Sequence, residues 1–255
     1  MANTPEQPPL PLPDGDGTPQ QAGAPAWHQL PRAAFDLETT GRDPRTARIV
    51  TASVVIVNGR DELLQHHEWL VDPGVPIPAE ASAVHGISTE QAQAEGRDPA
   101  EAVAEISTLL AELFQTMPVM AFNAPYDFTV LEAEARRHGI ASIDPSPVID
   151  PLVLDRAVDR YRRGKRTLTA MSEFYGVSLV DAHTSAADAL ATIGVADAIA
   201  RKYPRLIQVD PLQLHGAQSG WHRAWAENFQ DFLRRKDPSA EIDPAWPRGE
   251  FPARD

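Results

Sequence analysis

Asp36 and Glu38, in Phe35-Asp-Leu-Glu-Thr-Thr-Gly41, are the residues whose type and spacing point most directly to chemistry. Residues two apart in a strand share a face, so this spacing sets two carboxylates side by side. Unpaired, each anion disfavours the other, and both stand in a stretch that is otherwise apolar. A divalent cation removes the conflict. Hard Mg2+ or Mn2+ takes carboxylate oxygens and water, whereas the thiolates that favour zinc are missing from a chain without cysteine. The competing account, a solvated edge strand, fits poorly with Ala33, Ala34, Phe35 and Leu37.

Three more residues gain meaning only beside this pair. Asp127, in Phe122-Asn-Ala-Pro-Tyr-Asp-Phe128, falls at the exit of a strand and the start of a helix, with Asn123 as the cap. There the helix dipole alone favours an acid. Asp188 fits a capping box in Ser185-Ala-Ala-Asp188. His183 stands five residues before Asp188, a spacing that does not share one helical face. It is expected on the loop leading into the helix, free to lean over whatever Asp188 binds; a lone loop histidine is otherwise a surface residue.

The elements that must position these residues are readable from pattern. Residues 32–38, 48–57 and 62–71 are rich in strand formers, and Asn58-Gly59 punctuates the second and third, so a hairpin opens the fold. Ala102, Val103, Ile106, Leu109, Leu110 and Leu113 recur at helical spacing over 98–114. Residues 118–122 then read as a buried strand, about 125–138 as a helix closed by His138-Gly139, and 148–149 as a short strand before another helix. Hairpin first, then alternating strand and helix, predicts an α/β mixed sheet flanked by helices. Helices over about 167–175 and 184–202 follow. Leu214, Ala217, Trp221, Trp225, Phe229 and Phe232 then mark one face of an added C-terminal helix, expected to pack against the body.

Composition bounds the rest. The 255 residues carry 36 acids and 23 Lys+Arg, a net charge of -13, which excludes a polyanion binder working through a broad basic surface. It does not exclude a nucleic-acid enzyme, because bound metal ions turn an acidic site positive. Residues 1–31 hold 8 of the 24 prolines, three acids and no Lys or Arg, and are expected to be a disordered tail. Residues 237–255, with four prolines and five acids, are expected to be a second loose tail, with Trp246 as a possible pin. Between them the division is 32–203 as the catalytic domain and 204–236 as a helical extension. No basic start followed by an apolar core and no run of ~20 apolar residues is present, so a cytoplasmic protein that does not enter membranes is expected.

Taken together, F-D-L-E-T-T-G, N-A-P-Y-D-F-T-V-L and H-T-S-A-A-D-A, in that order from about Ala33 to Ala200, resemble the three motifs of the DnaQ-like 3′-to-5′ exonucleases of the DEDDh group. His85-Gly86-Ile87 is similar to the family's segment between its first two motifs. The resemblance implies a ribonuclease H-like fold with a mixed five-stranded sheet. It also implies two Mg2+ or Mn2+ ions held by Asp36, Glu38, Asp127 and Asp188, with His183 as general base. An imidazole with an unperturbed pKa of ~6.5 reaches the neutral form that role needs. Thr39, His85 and Phe128 are candidate contacts to the terminal nucleotide. Their other readings are a turn residue, a helix-end residue and a core residue.

The activity implied is removal of nucleoside 5′-monophosphates from single-stranded or frayed DNA 3′ ends. Thr-Thr-Gly after Glu38 is nearer the proofreading branch than the oligoribonuclease branch, whose version carries Met between and after the acids. RNA 3′ ends are the alternative substrate, small nucleotides another. From a different class comes a non-catalytic adaptor that binds a polymerase or repair partner through the C-terminal helix. Residues 155–166, with a net charge of +4, are the candidate phosphate contact.

Overall fold

The computed structural model describes residues 25–179, 183–207 and 209–252. Five strands form one sheet: β1 (Arg32–Thr39), β2 (Ile49–Val57), β3 (Leu63–Leu70), β4 (Val119–Met120) and β5 (Val148–Ile149). Their order is β3-β2-β1-β4-β5, antiparallel among the first three and parallel from β1 through β5. The mixed sheet expected from pattern is therefore present, and β1 with its two acids lies at its centre. β2 and β3 are joined by a tight turn in which Asn58 N–H donates to Glu62 O at 3.0 Å.

The helices are α1 (Ala79–His85), α2 (Thr89–Glu95), α3 (Pro99–Phe114), α4 (Ala124–Arg137), α5 (Pro151–Val158), α6 (Leu168–Tyr175), α7 (Ser185–Lys202), α8 (Pro204–Ile207) and α9 (Pro211–Arg234). Alternation along β1 sorts them into two layers. Ala33, Phe35 and Leu37 pack with Val103, Ile106 and Leu110 of α3 and Phe128 and Leu131 of α4. Ala34 faces the opposite layer, among Leu154 of α5, Met171 of α6, Ile193 and Ala196 of α7 and Leu214 of α9. Asp36 and Glu38 share the parity of Ala34, so the same pleat aims them towards α7. Each fully buried Phe, Ile or Leu contributes about 1.5–3 kcal/mol over leaving it exposed, which makes the two clusters the main hold on β1.

The structure departs from the sequence reading at both ends of the chain and over residues 77–96. Helices α1 and α2 escape pattern reading because each is seven residues long and buries almost nothing; α1 has no buried residue and α2 only Ala92. The predicted N-terminal tail falls outside the described residues over 1–24, but its last part is ordered. Trp27 is buried, and its indole N–H donates to Ile207 O at 2.7 Å. The second tail is likewise corrected over 237–252. Trp246 is buried and donates to Asp150 at 3.3 Å, Arg248 bonds Glu132 at 2.9 Å, and Gly249 N–H donates to Thr129 Oγ1 at 2.8 Å. A single large aromatic in each segment outweighs the prolines around it. The extension is no separate layer, since Gln218 of α9 accepts from Asp150 N–H at 2.7 Å and donates to Val148 O at 3.0 Å.

Arg32, at the start of β1, is wholly buried. Its Nε donates to Asp197 Oδ1 at 3.2 Å and its Nη1 to Asn58 O at 2.8 Å, while Nη2 reaches Asp61 and Asp197. Breaking such a pair leaves a buried charge short of its partner. Asp197→Ala is therefore expected to lower unfolding free energy by about 3–5 kcal/mol, measured by urea denaturation. A loss below about 1 kcal/mol would show that Asp61 suffices alone.

Candidate active site

β1 outruns its parallel neighbour. Pairing with β4 covers only Ala33 and Ala34, so the half of β1 that carries Asp36 and Glu38 has no strand on that side. There the Leu37 N–H donates to the carboxylate of Asp127, in the first turn of α4. Ending one strand early thus opens the sheet where the acids lie and pulls a third acid to its edge.

On the other layer, α7 begins beside the same half of β1. Thr184 caps it, accepting from Ala187 N–H at 3.3 Å, and Thr51 of β2 donates to Ser185 Oγ at 3.4 Å. The capping box expected around Ser185 does not form: the cap falls one residue earlier, on Thr184, and Asp188 Oδ1 accepts from His183 N–H at 3.4 Å. This places Asp188 over β1. One carboxylate oxygen from each of Asp36, Glu38 and Asp188 lies within 4.8 Å of the other two. Among the described residues none of these acids, nor Asp127, pairs with Lys or Arg.

That arrangement is electrostatically unfavourable without a cation. Burial, then Asp127, Asp188 and Glu38, push the Asp36 carboxyl well above the usual range. Burial and Asp188 push Glu38 from 4.5 up to about 7. Asp127 is pushed well above the usual range by burial, against the pull of two backbone N–H bonds, and Asp188 is raised by burial while His183 draws it back. Three oxygens this close, with no basic partner, fit a hard divalent ion. Raised folded-state values mean that the metal-free fold holds these protons more tightly than the unfolded chain. Glu38's share of that stability is full below about pH 4.5 and lost as pH rises through about 7. Glu38→Gln is expected to reduce the loss of stability between pH 5 and 8 in EDTA by about 2 kcal/mol, seen in denaturant midpoints; an unchanged pH profile would contradict the raised Glu38 carboxyl.

Asp127 is 3% exposed and does not join the close group of three. Its helix starts at Asn123, whose φ of 63° places it in the left-handed region and whose side chain makes no cap bond. The cap comes from Asp150: Asn123 and Ala124 N–H donate to its carboxylate at 3.1 and 3.0 Å, while Leu152 N–H at 2.9 Å makes it the cap of α5 as well. Asp150 therefore fixes α4, and Asp127 with it. Sequence reasoning missed it, although Asp150-Pro151 is a helix-start signal.

Beside Glu38 opens a cleft of about 410 Å3, lined also by Thr39, Thr40, Arg42, His85 and Tyr126. The Tyr126 hydroxyl, another residue missed in the sequence, meets Thr39 Oγ1 and the Gly41 carbonyl, tying the exit of β1 to α4. His85 ends α1, where Gly86 takes the φ of 80° that turns the chain. Its Nδ1 accepts from Ile87 N–H at 3.1 Å, its Nε2 is buried with no partner among the described residues, and burial lowers its pKa. Thr39 and His85 thus both border the cleft beside Glu38. Phe128 does not: it is 2% exposed, packed on Phe35 at 5.6 Å, and is corrected to a core residue.

His183 lies on the loop before α7, exposed, with a φ of 74°. The basic segment divides. Arg162 and Arg166 are tied to the buried Asp155 at 3.0 and 2.6 Å, so they serve the fold rather than a ligand. Arg160, Arg163 and Lys165 remain exposed.

The exonuclease family RNase_T matches residues 33–196. A DNA polymerase III subunit epsilon-like protein of Rhodobacter capsulatus is 32% identical over 182 residues, covering 70% of this chain and 24% of that protein. An uncharacterized exonuclease of Escherichia phage 186 is 32% identical over 114 residues, covering 45% of this chain and 54% of that one. The chain thus spans about a quarter and about half of these relatives. E. coli Exonuclease I, crystallised with a dA16 oligonucleotide, superposes with a TM-score of 0.59 at 20% identity, over 76% of this chain and 44% of that one. Exonuclease I of Methylocaldum szegediense gives 0.55 at 23% identity, over 70% and 42%. These structures share the fold. With the family match spanning the sheet, α4, the acidic cluster and most of α7, the chain belongs to the DnaQ-like RNase_T family of exonucleases.

Proposed function

We propose that this chain is a metal-dependent 3′-to-5′ exonuclease that removes nucleoside 5′-monophosphates from single-stranded or frayed DNA ends in the cytoplasm. The observation that carries the reading is the approach of Asp36, Glu38 and Asp188 oxygens to within 4.8 Å with no basic partner. Asp36, Glu38 and Asp188 would hold one Mg2+ or Mn2+, and Asp36 and Asp127 a second. Such ions supply positive charge to a phosphodiester and acidify water. His183, whose backbone N–H donates to Asp188 at 3.4 Å, would use its ring to take the proton of the attacking water. Thr39 and His85 would seat the terminal nucleotide in the cleft beside Glu38.

A terminal phosphodiester enters such a cleft most cheaply from an unstacked end, which favours single strands. The crystallised dA16 complex of Exonuclease I and the polymerase-subunit name of the Rhodobacter relative support DNA over RNA. A net charge of -13 fits an enzyme that engages nucleic acid at local sites rather than along a broad basic surface. The catalytic unit is assigned to 32–203, with α9 bracing β5. Incubation with Mg2+ and equal ends of single-stranded DNA, blunt duplex and RNA tests the substrate: the single DNA strand should be degraded fastest, with mononucleotide product. Faster release from RNA would replace DNA in this reading.

A further inference from the structure

Helix α9 changes character along its length. Leu214, Ala217 and Gln218 are buried against the body, but beyond Trp221 the apolar stripe runs out into solvent, with Phe229 36% and Phe232 54% exposed. The rings of Trp225, Phe229 and Phe232 lie nearly parallel, inclined by 18° and 13°, with centroids 5.3 and 6.4 Å apart. Parallel rings at these separations are offset sideways, so they form a stepped row rather than a closed stack.

Cations accompany the row. The Arg156 guanidinium lies 3.5 Å from the Trp225 centroid and that of Arg235 lies 5.9 Å from Phe232. Between α5 and α9 a groove of about 100 Å3 is lined by Arg156, Arg160, Trp221, Trp225 and Asn228. Among the described residues no salt bridge engages Arg156, Arg160 or Arg235. Glu227 and Asp231 fall outside the 225-229-232 stripe by helical spacing.

We infer that this row of rings and arginines is a platform for single-stranded nucleic acid, with unpaired bases laid on the rings and phosphates met by the arginines. Charge selects the occupant. A second copy would turn the same arginines towards one another across a two-fold axis, whereas a polyanion with flat aromatic bases satisfies both the cations and the rings. One helix joins the groove to the base of the site: α5, about 12 Å long, runs from Asp150, which holds the start of α4, to the turn that carries Arg156. The choice of nucleic acid rests on the exonuclease reading, but binding is measurable without cleavage.

The test is fluorescence anisotropy of the full chain with a labelled oligothymidylate about 20 nucleotides long, in EDTA. Phe229→Ala/Phe232→Ala should weaken binding about tenfold or more, with an unchanged melting profile. Arg160→Ala/Arg235→Ala should also weaken it and reduce the slope of log affinity against log salt by about 1.4. Hydrolysis of a dinucleotide, too short to span α5, should match wild type in both variants. Binding that is absent in the wild type, or unchanged in both variants, overturns the platform. So does a wild-type dimer that the Phe229→Ala/Phe232→Ala pair dissociates while strand binding persists, because the face would then be a protein contact. Cleavage that fails while binding behaves as stated would reject the exonuclease reading alone.

Discussion

Asp36→Ala is expected to lower the rate of mononucleotide release by about a thousandfold or more, the largest effect of any single substitution in the chain. Asp36 stands on the central strand, feels Asp127, Asp188 and Glu38 at once, and contributes to both proposed ion positions. Removing it leaves the remaining acids too few to hold both ions, and several kcal/mol of transition-state stabilisation is lost with them. The same substitution relieves a buried repulsion, so the metal-free variant should melt no lower than wild type at pH 8. Loss of activity joined to equal or better stability distinguishes a binding acid from a structural one. Initial rates in saturating Mg2+ and thermal midpoints in EDTA measure the two halves. A variant retaining more than about a tenth of wild-type activity would contradict the assignment.

His183→Asn is expected to reduce kcat by about 100- to 10,000-fold, with KM and the Mg2+ concentration for half-maximal rate little changed. The left-handed φ of 74° at this position makes asparagine a better test than alanine, because asparagine tolerates that backbone. The N–H bond to Asp188 is made by the main chain and survives the change. Only the ring is lost. Single-turnover rates measured across a range of Mg2+ concentrations check this; a variant that loses metal affinity instead of kcat would make His183 a support for Asp188.

What could be read from the sequence depended on whether neighbours in the chain are neighbours in space. Asp36 and Glu38 were legible because strand periodicity alone puts them together, and the apolar Phe35 and Leu37 between and before them pack into the opposite layer. Asp188 and His183 were legible as a helix start and the loop before it, although the cap falls on Thr184 rather than Ser185. Asp127 was half legible: its place in the first turn of α4 was clear, but its bond to Leu37 depends on how early β4 ends. Phe128 was misplaced because one residue along a helix is a rotation of about 100°, enough to move a side chain from the cleft edge to the core. Asp150 and Trp246 were invisible as a pair, since 96 residues separate them and only the folded chain brings them to 3.3 Å. The aromatic face of α9 was seen correctly as apolar and wrongly as wholly packed, because periodicity shows where a stripe lies and not where its partner ends.

Polarity and metal dependence are read together by one measurement. A single DNA strand labelled at its 5′ end is incubated with the protein and Mg2+, and products are resolved by length against an EDTA control. Stepwise shortening of the labelled strand, one nucleotide at a time from the 3′ end and absent in EDTA, is the predicted result. Immediate release of a labelled mononucleotide, internal cuts, or equal activity in EDTA would contradict the account.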